Sequence, residues 1–371
     1  MTGITRRVGG LMVCLTAALA PSACSPAVHP SHQAGNQPSP AMLAENAAPR
    51  PAAELLLQTE PWTLDAAAGK ILHTPQYRLY TTSTKAFLLD NLPAFVETAA
   101  AHYRSSLGTL PPPRGSMEIY LLDTRPQWEQ MTQRFMGDQA DTYLRIQRGG
   151  FSYDGRAILY DIGRRDTFTI TAHEGWHVYT QSTFKNSLPV WLEEGLATYM
   201  EGFRWDPNAA DRPTFLPWAN FERFDQLRWA VRSDKLMPLD LLTKSTPQEL
   251  IARDSNAALH YYAQVWALVH FLNEGEQGAY RGALRAMVSD AATGQLVPRI
   301  RRELGDRAAS SYSYRRRGAD LIKLYTGKTA AELDPQYAAF MQQIVKTGTR
   351  TNIWQGQSPI APVAAPAPAS P

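Results

Sequence analysis

The stretch of sequence that decides the fold runs from residue 166 to residue 200, and its core reads AHEGWHVYT at 172–180 and LPVWLEEGLATY at 188–199. The first of these reads as part of one helix from Asp166 to Ser182. The second begins after a loop, with Pro189 in the position that favours the first turn of a new helix. The sequence therefore predicts two successive helices, separated by a loop, with histidines on the first and glutamates on the second.

The first helix brings two histidines together. His173 and His177 are four residues apart, so they lie on the same helix face one turn from each other. Two imidazoles in this arrangement can both bind one zinc ion at roughly 2.0–2.1 Å. Glu174 lies at the edge of that face, near enough to take a proton from a zinc-bound water. The pattern indicates one catalytic Zn²⁺ per chain; the alternative is a pair of structural histidines on a half-buried helix.

The third ligand is sought on the second helix, because a catalytic zinc ion has three protein ligands and an open position for water. The nearest candidates are Glu193 and Glu194. Glu194 shares a helix face with Val190 and Trp191, whereas Glu193 falls on the other side and is expected to be exposed. The only two cysteines lie in the N-terminal leader, so a metal site in the folded body must use His, Asp and Glu.

The two motifs together, His-Glu-x-x-His and then Trp-Leu-x-Glu-Gly-x-Ala, resemble the gluzincins, the zinc metallopeptidases that include thermolysin and the large zinc aminopeptidases. The resemblance implies that Glu194 is the third ligand, that Glu174 is the general base, and that the substrate is a peptide or protein. The apolar segment Leu259–Leu272, with Tyr-Tyr-Ala-Gln at 261–264, is further similar to the peptidase-MA-like bacterial proteins.

The same resemblance implies a residue that stabilises the oxyanion. Gluzincins commonly use a Tyr or His from the helical lobe for this role. Tyr262 is the preferred candidate here, with Tyr261 and His260 as alternatives.

The chain also departs from the family pattern. Thr198 stands one turn after Glu194, where thermolysin-like enzymes carry an acidic residue that orients a ligand histidine. The partner of the histidines must then come from elsewhere, and the candidates are Asp161, Asp166 or a backbone carbonyl.

The predicted fold class is α+β: a small mixed sheet with helices, followed by a mostly helical lobe, with the zinc-bearing helix at the cleft between them. The resemblance to gluzincins implies that the strand Ala157–Tyr160 forms the sheet edge beside that cleft. After Asp166 the chain is expected to be helical throughout. The predicted parts are an N-terminal α/β subdomain at 54–165 and a helical catalytic subdomain at 166–355. Strands and one long helix are predicted before Asp166 at Tyr77–Thr82, Ala86–Leu107, Met117–Leu122, Gly150–Tyr153 and Ala157–Tyr160.

The N-terminus has the features of an export signal. Arg6 and Arg7 precede the apolar stretch Leu11–Ala20, which predicts a signal peptide at residues 1–23. Pro21-Ser22-Ala23-Cys24 resembles a bacterial lipobox, which would place a lipid on Cys24 and the protein in the cell envelope, in the outer membrane or periplasm. Cleavage after Ala27, giving a secreted protein, is the alternative. The Pro- and Ala-rich residues 24–53 and 356–371 predict a flexible tether and a disordered tail.

The charge excludes one class of partner. A formal net charge of +3 over 371 residues predicts no nucleic-acid groove. Two functions other than a peptidase fit the same motifs: a catalytically inactive envelope protein that acts as an interaction module, and a zinc hydrolase with a non-peptide substrate.

Overall fold

The computed structural model describes residues 55–205, 212–251 and 255–360. Within these ranges the chain is α+β, as predicted, with a six-stranded mixed sheet and a mostly helical C-terminal part. The predicted signal peptide and tether lie outside the described residues. Of the predicted tail, residues 356–360 are described, and Ser358 donates a hydrogen bond to Glu274 at 2.6 Å. Among the described helices, none has both the length and the apolar character needed to cross a membrane.

The sheet is mixed and has the strand order β1-β2-β3-β4-β6-β5. Strands β3, β4 and β6 are parallel to one another, and the other three are antiparallel to their neighbours. The predicted strands correspond to β3–β6 within one residue at each end, whereas the hairpin β1–β2 is not predicted. The bounds are β1 Gln58–Leu64, β2 Ala67–His73, β3 Tyr77–Thr81, β4 Met117–Leu122, β5 Gly150–Tyr153 and β6 Arg156–Tyr160.

The strand that was expected at the sheet edge, Ala157–Tyr160, is an interior strand. It belongs to β6, which pairs with β4 on one side and with β5 on the other. The edge strand is therefore β5, and the expectation was wrong. The reason lies in the turn at Asp154 and Gly155, which have φ of 50° and 74°. Two successive residues with positive φ form a tight hairpin, so the preceding strand folds back onto the outer side of β6.

The helices before the metal motifs pack on the sheet, and the later ones form the helical part. Their bounds are α1 Ala86–Ser105, α2 Arg125–Met136, α3 Ala140–Leu144, α4 Arg164–Thr183, α5 Val190–Met200, α6 Phe221–Arg232, α7 Leu239–Lys244, α8 Pro247–Ile251, α9 Ser255–Glu274, α10 Arg281–Thr293, α11 Leu296–Leu304, α12 Asp306–Arg315, α13 Ala319–Thr326, α14 Ala330–Ile344 and α15 Arg350–Gln355.

The sheet is buried on both faces because alternate residues of its central strands enter two different cores. From β4, Ile119 and Leu121 enter the larger core, whereas Tyr120 and Leu122 enter the smaller one. Helix α1 covers the first face, and α2 covers the second with Trp128. Burial of this kind is expected for parallel strands joined by crossover helices. The larger core continues without a break from the sheet through α4, α5 and α9.

One short hairpin interrupts the region that was expected to be helical throughout. Strands β7 (Phe203–Trp205) and β8 (Pro213–Phe215) pair antiparallel directly after α5. Phe203 and Phe215 both pack against Phe95 of α1, and their ring centroids lie 5.0 and 5.3 Å from the Phe95 ring centroid. The hairpin is thus held by aromatic contacts with a distant helix, which local sequence patterns do not reveal.

Glycines in both metal motifs allow neighbouring elements to approach closely. A Cβ on Gly175 would lie 2.7 Å from the hydroxyl of Tyr103, which donates a hydrogen bond to the Ala172 carbonyl at 2.7 Å. A Cβ on Gly195 would lie 2.8 Å from the carbonyl oxygen of Val265 on α9. These two glycines allow α4 to approach α1, and α5 to approach α9, more closely than any larger residue would.

Candidate metal centre

Helices α4 and α5 bring the three predicted metal ligands together. Ligand atoms of His173, His177 and Glu194 all lie within 4.8 Å of one another. The Oε2 atom of Glu194 is 3.6 Å from the Nε2 atom of each histidine. Each of the three side chains is at most 1% exposed. The group could therefore hold one metal ion, as the sequence predicts.

The hydrogen bonding of this group also fits a metal ion. The Nε2 atom of His177 and both carboxylate oxygens of Glu194 are buried and make no hydrogen bond to any described residue. Buried polar atoms in proteins nearly always have a partner, so these atoms lack the one that a metal ion would provide. Two imidazole nitrogens and one carboxylate oxygen are ligands that zinc accepts, with a fourth position left for water.

Each histidine is held by a second carboxylate on its other ring nitrogen. Nδ1 of His173 is 2.8 Å from Oε1 of Glu201, and Nδ1 of His177 is 3.2 Å from Oε1 of Glu193. A carboxylate at Nδ1 accepts a hydrogen bond from a protonated Nδ1, so that the Nε2 lone pair is available to a metal. The geometry thus prepares both rings to bind through Nε2.

These partners differ from the predicted ones, and the prediction of Asp161 or Asp166 was wrong. Asp161 accepts hydrogen bonds from the Thr167 hydroxyl at 2.8 Å and the Gly163 amide at 2.9 Å, and Asp166 pairs with Arg148 at 2.6 Å. Both aspartates lie at the start of α4. Position 166 is seven residues before His173, which on a helix corresponds to about 10 Å.

Glu193 was expected to be exposed, and it is 2% exposed. The helix α5 has no solvent face at this point because several elements surround it. The Thr180 hydroxyl donates to Oε1 of Glu193 at 2.7 Å, and the guanidinium of Arg316 lies 3.7 Å from its Oε2. The prediction failed because helical periodicity alone cannot show that a helix is enclosed on all sides.

Glu201 was missed, although the sequence contains a signal for it. The Thr198 hydroxyl donates to the carbonyls of Glu194 and Gly195 at 2.9 and 2.8 Å, so this side chain does not serve a histidine. Glu201 is seven residues after Glu194, which places it two turns on along the same helix face. The signal in the sequence is therefore an acidic residue two helical turns after Glu194, in place of the one-turn position that Thr198 occupies.

Glu174 lies next to the ligands, close to His177, His173 and the Ser152 side chain. Its side chain is fully buried, and neither carboxylate oxygen makes a hydrogen bond to a described residue. Burial raises the pKa of Glu174 above its ordinary value, and the nearby His177 and His173 oppose that shift only in part. Burial would also raise the pKa of Glu194, but its contacts with His173 and His177 outweigh this and lower that pKa to about 2.

The three candidates for the oxyanion role lie at the start of α9 in different surroundings. The ring of Tyr262 contacts the ring of His173 edge-on, with centroids 6.1 Å apart. Tyr261 directs its hydroxyl to the Ser245 carbonyl at 3.5 Å. His260 stacks on Trp229, with centroids 4.6 Å apart. Of the three, Tyr262 is the one with a ring contact to a predicted ligand.

Comparison of the chain with protein-family models, with curated proteins and with solved structures finds no match in any of the three. The resemblance to gluzincins therefore depends on the residues of the two motifs and on the geometry of the centre that they form.

Proposed function

We propose that the chain is an exported zinc-dependent metallopeptidase of the gluzincin type. The observation that supports this most strongly is the convergence of His173, His177 and Glu194 on one point, with buried ligand atoms that make no hydrogen bond to a described residue and with Glu174 beside them. A structural metal site has no need of an extra buried carboxylate that ligates nothing. A hydrolytic site does need one, because water must lose a proton as it attacks.

The proposed mechanism assigns a separate task to each residue. His173, His177 and Glu194 would hold the zinc ion, which would supply a Lewis acid able to activate water and polarise the scissile carbonyl. Glu174 takes a proton from the attacking water and passes it to the nitrogen of the leaving amine. Tyr262 donates its hydroxyl hydrogen to the oxyanion that develops on the carbonyl oxygen. Glu193 and Glu201 hold the two imidazoles in place throughout.

The edge strand β5 is the proposed binding surface for an extended peptide, although Gly150, Phe151 and Ser152 are buried in this structure. An exposed strand edge can add a peptide as a further strand through main-chain hydrogen bonds. Strand β5 is fixed relative to α4 by Gln181, which donates to the Ser152 hydroxyl at 3.2 Å and accepts from the Gly155 amide at 2.8 Å. Because the ligands and Glu174 are at most 1% exposed, a peptide reaches them only after part of the surrounding structure moves.

Replacement of the general base tests the enzyme proposal. Glu174→Gln removes the proton acceptor and leaves the three ligands unchanged, so zinc content and folding should be retained. Turnover should fall by about 10²- to 10⁴-fold. The measurement is the rate of hydrolysis of a mixed peptide library by wild type and variant, each with its zinc content determined, with His177→Ala as a control that loses both zinc and activity.

Two outcomes would contradict this proposal. Unchanged turnover in a zinc-replete Glu174→Gln protein would exclude the proposed mechanism. A zinc-replete wild type that cleaves no peptide would favour the interaction module or the non-peptide hydrolase.

A further inference from the structure

Arg223 is a fully buried arginine that the proposed mechanism does not use. It lies in the first turn of α6, and its side chain is 0% exposed. A charged side chain is rarely buried without a counter-charge, because desolvation of an unpaired charge is costly. The surroundings of Arg223 must therefore account for its position.

The counter-charge of Arg223 is Glu201, the residue that holds His173. Nε of Arg223 donates to Oε2 of Glu201 at 3.0 Å, and Nη2 donates to Oε1 at 2.7 Å. The Asn220 amide adds a third hydrogen bond, to Oε2 at 2.7 Å. A planar guanidinium that binds both oxygens of a carboxylate fixes its orientation as well as its charge. Oε1, which receives one of these bonds, also faces Nδ1 of His173 at 2.8 Å.

Arg223 also reaches the other side of the centre. Its guanidinium carbon lies 5.3 Å from the centre of the Tyr262 ring, within the distance of a cation–π contact. The Tyr262 ring in turn contacts His173. The contacts close a circuit of four buried side chains: His173, Glu201, Arg223 and Tyr262. The Arg223 guanidinium thus contacts both Glu201, which holds His173, and Tyr262, which is proposed to bind the oxyanion.

We propose that Arg223 is a positioning residue of the metal centre. It fixes the orientation of the Glu201 carboxylate through both of its oxygens, so that Glu201 accepts the Nδ1 hydrogen of His173 and leaves the Nε2 lone pair directed at the metal. The contact of the Arg223 guanidinium with the Tyr262 ring also holds Tyr262 beside His173. The inference rests on the metal-binding part of the proposed function and is independent of whether the substrate is a peptide.

The test requires a variant that removes this role without leaving a buried unpaired charge. Arg223→Met alone leaves the Glu201 carboxylate unpaired and could prevent folding. The double variant Glu201→Gln/Arg223→Met removes both charges and retains an amide oxygen near His173. The matched control is Arg125→Met on α2, because Arg125 donates to the Leu144 and Ile146 carbonyls on the opposite face of the sheet.

Zinc affinity is the first measurement, by competition with a chelator of known affinity. The double variant should bind Zn²⁺ about 10- to 100-fold more weakly than wild type, the usual effect of losing the partner of a ligand histidine. Arg125→Met should bind Zn²⁺ as wild type does. Thermal unfolding of each protein shows that the compared samples are folded.

The second measurement reports on His173 itself in the metal-free protein. The proton NMR resonance of its Nδ1–H should lie far downfield and exchange slowly in wild type and in Arg125→Met. It should move upfield in the double variant, where a neutral amide replaces the carboxylate. It should also move upfield in Arg223→Lys, where the carboxylate and a positive charge remain but the planar fork that binds both carboxylate oxygens is lost. If wild type binds no Zn²⁺, the proposed function fails, and the resonance in Arg223→Lys still decides the role of Arg223. A folded Arg223→Lys protein with an unchanged His173 resonance would overturn the inference.

Discussion

Glu193 and Glu194 are consecutive residues that serve opposite edges of the same imidazole. Glu194 lies 3.6 Å from Nε2 of His177, whereas Glu193 lies 3.2 Å from its Nδ1. The two nitrogens of a histidine have distinct roles, since the one that binds a metal depends on what the other donates to. Adjacent acidic residues therefore take different tasks, and the geometry gives the ligand position to Glu194.

This difference predicts opposite outcomes for the two glutamates. Glu194→Ala should abolish zinc binding, because it removes a ligand and leaves two histidines. Glu193→Gln should retain the ion with an affinity lowered by about 10- to 100-fold, because it changes only the partner of His177. The measurement is zinc per chain in the purified proteins together with chelator competition. Full occupancy in Glu194→Ala and loss in Glu193→Gln would assign the ligand to Glu193.

Tyr262 has a predicted effect that separates catalysis from metal binding. Tyr262→Phe keeps the ring that packs against His173 and Arg223, and removes only the hydroxyl. If that hydroxyl binds the oxyanion, kcat should fall by about 10²- to 10³-fold while KM and zinc content change little. Steady-state kinetics on one peptide substrate provide the measurement. Normal kcat in Tyr262→Phe would move the role to Tyr261 or His260.

At the level of elements, the predictable strands and helices are those whose signals are local. Strand β3 alternates buried and more exposed residues, β4 is a largely apolar run, and β5–β6 is marked by its Asp-Gly turn, so all four are predicted. Strand β1 contains Pro61 and lies at the far edge of the sheet. Most of its residues are exposed or half-buried, so its hydrophobic alternation is weak. The hairpin β7–β8 depends on contacts with α1 and has no local signal.

The same distinction explains which site residues were predicted. His173, Glu174 and His177 lie on one helix, and a helix fixes their spacing without help from the rest of the chain. Arg223 reaches Glu201 only because the segment after α5 turns back and places α6 beside the end of α5. Its role follows from tertiary packing, which a periodic pattern does not encode.

Helix packing at Gly195 gives a prediction about stability. Gly195→Ala places a methyl group 2.8 Å from a backbone carbonyl on α9, which cannot move as a flexible side chain can. The strain should lower the free energy of unfolding by about 1–3 kcal/mol. The matched control is Gly282→Ala on α10, where a Cβ meets nothing within 4 Å. That control should raise the free energy of unfolding by about 0.5–1 kcal/mol, because alanine favours the helix.

Urea unfolding monitored by circular dichroism compares the two glycine variants with wild type. A Gly195→Ala protein as stable as Gly282→Ala would show that α5 and α9 are not held by this close contact.

At the scale of the whole molecule, the sheet and the helical part share one hydrophobic core. Phe95 of α1 packs against Phe168 of α4 and Phe203 of β7, with ring centroids 4.8 and 5.0 Å apart. The predicted subdomains at 54–165 and 166–355 are therefore joined by close aromatic contacts beside the metal helix.

The last prediction concerns where the folded body is held. If Cys24 carries a lipid, the predicted tether at 24–53 spans a root-mean-square distance of about 30 Å for a flexible chain, which keeps the body close to the membrane. Expressed from the full chain, the wild type should partition with membranes, and Cys24→Ala should release it, because the acyl chains provide the anchor. The matched control is Cys14→Ala, since the other cysteine of the chain lies within the predicted signal peptide and should leave partitioning unchanged. Membrane fractionation and the mass of the mature N-terminus provide the measurements. Wild-type protein recovered entirely in soluble form with an N-terminus at Val28 would instead establish cleavage after Ala27 and a secreted protein.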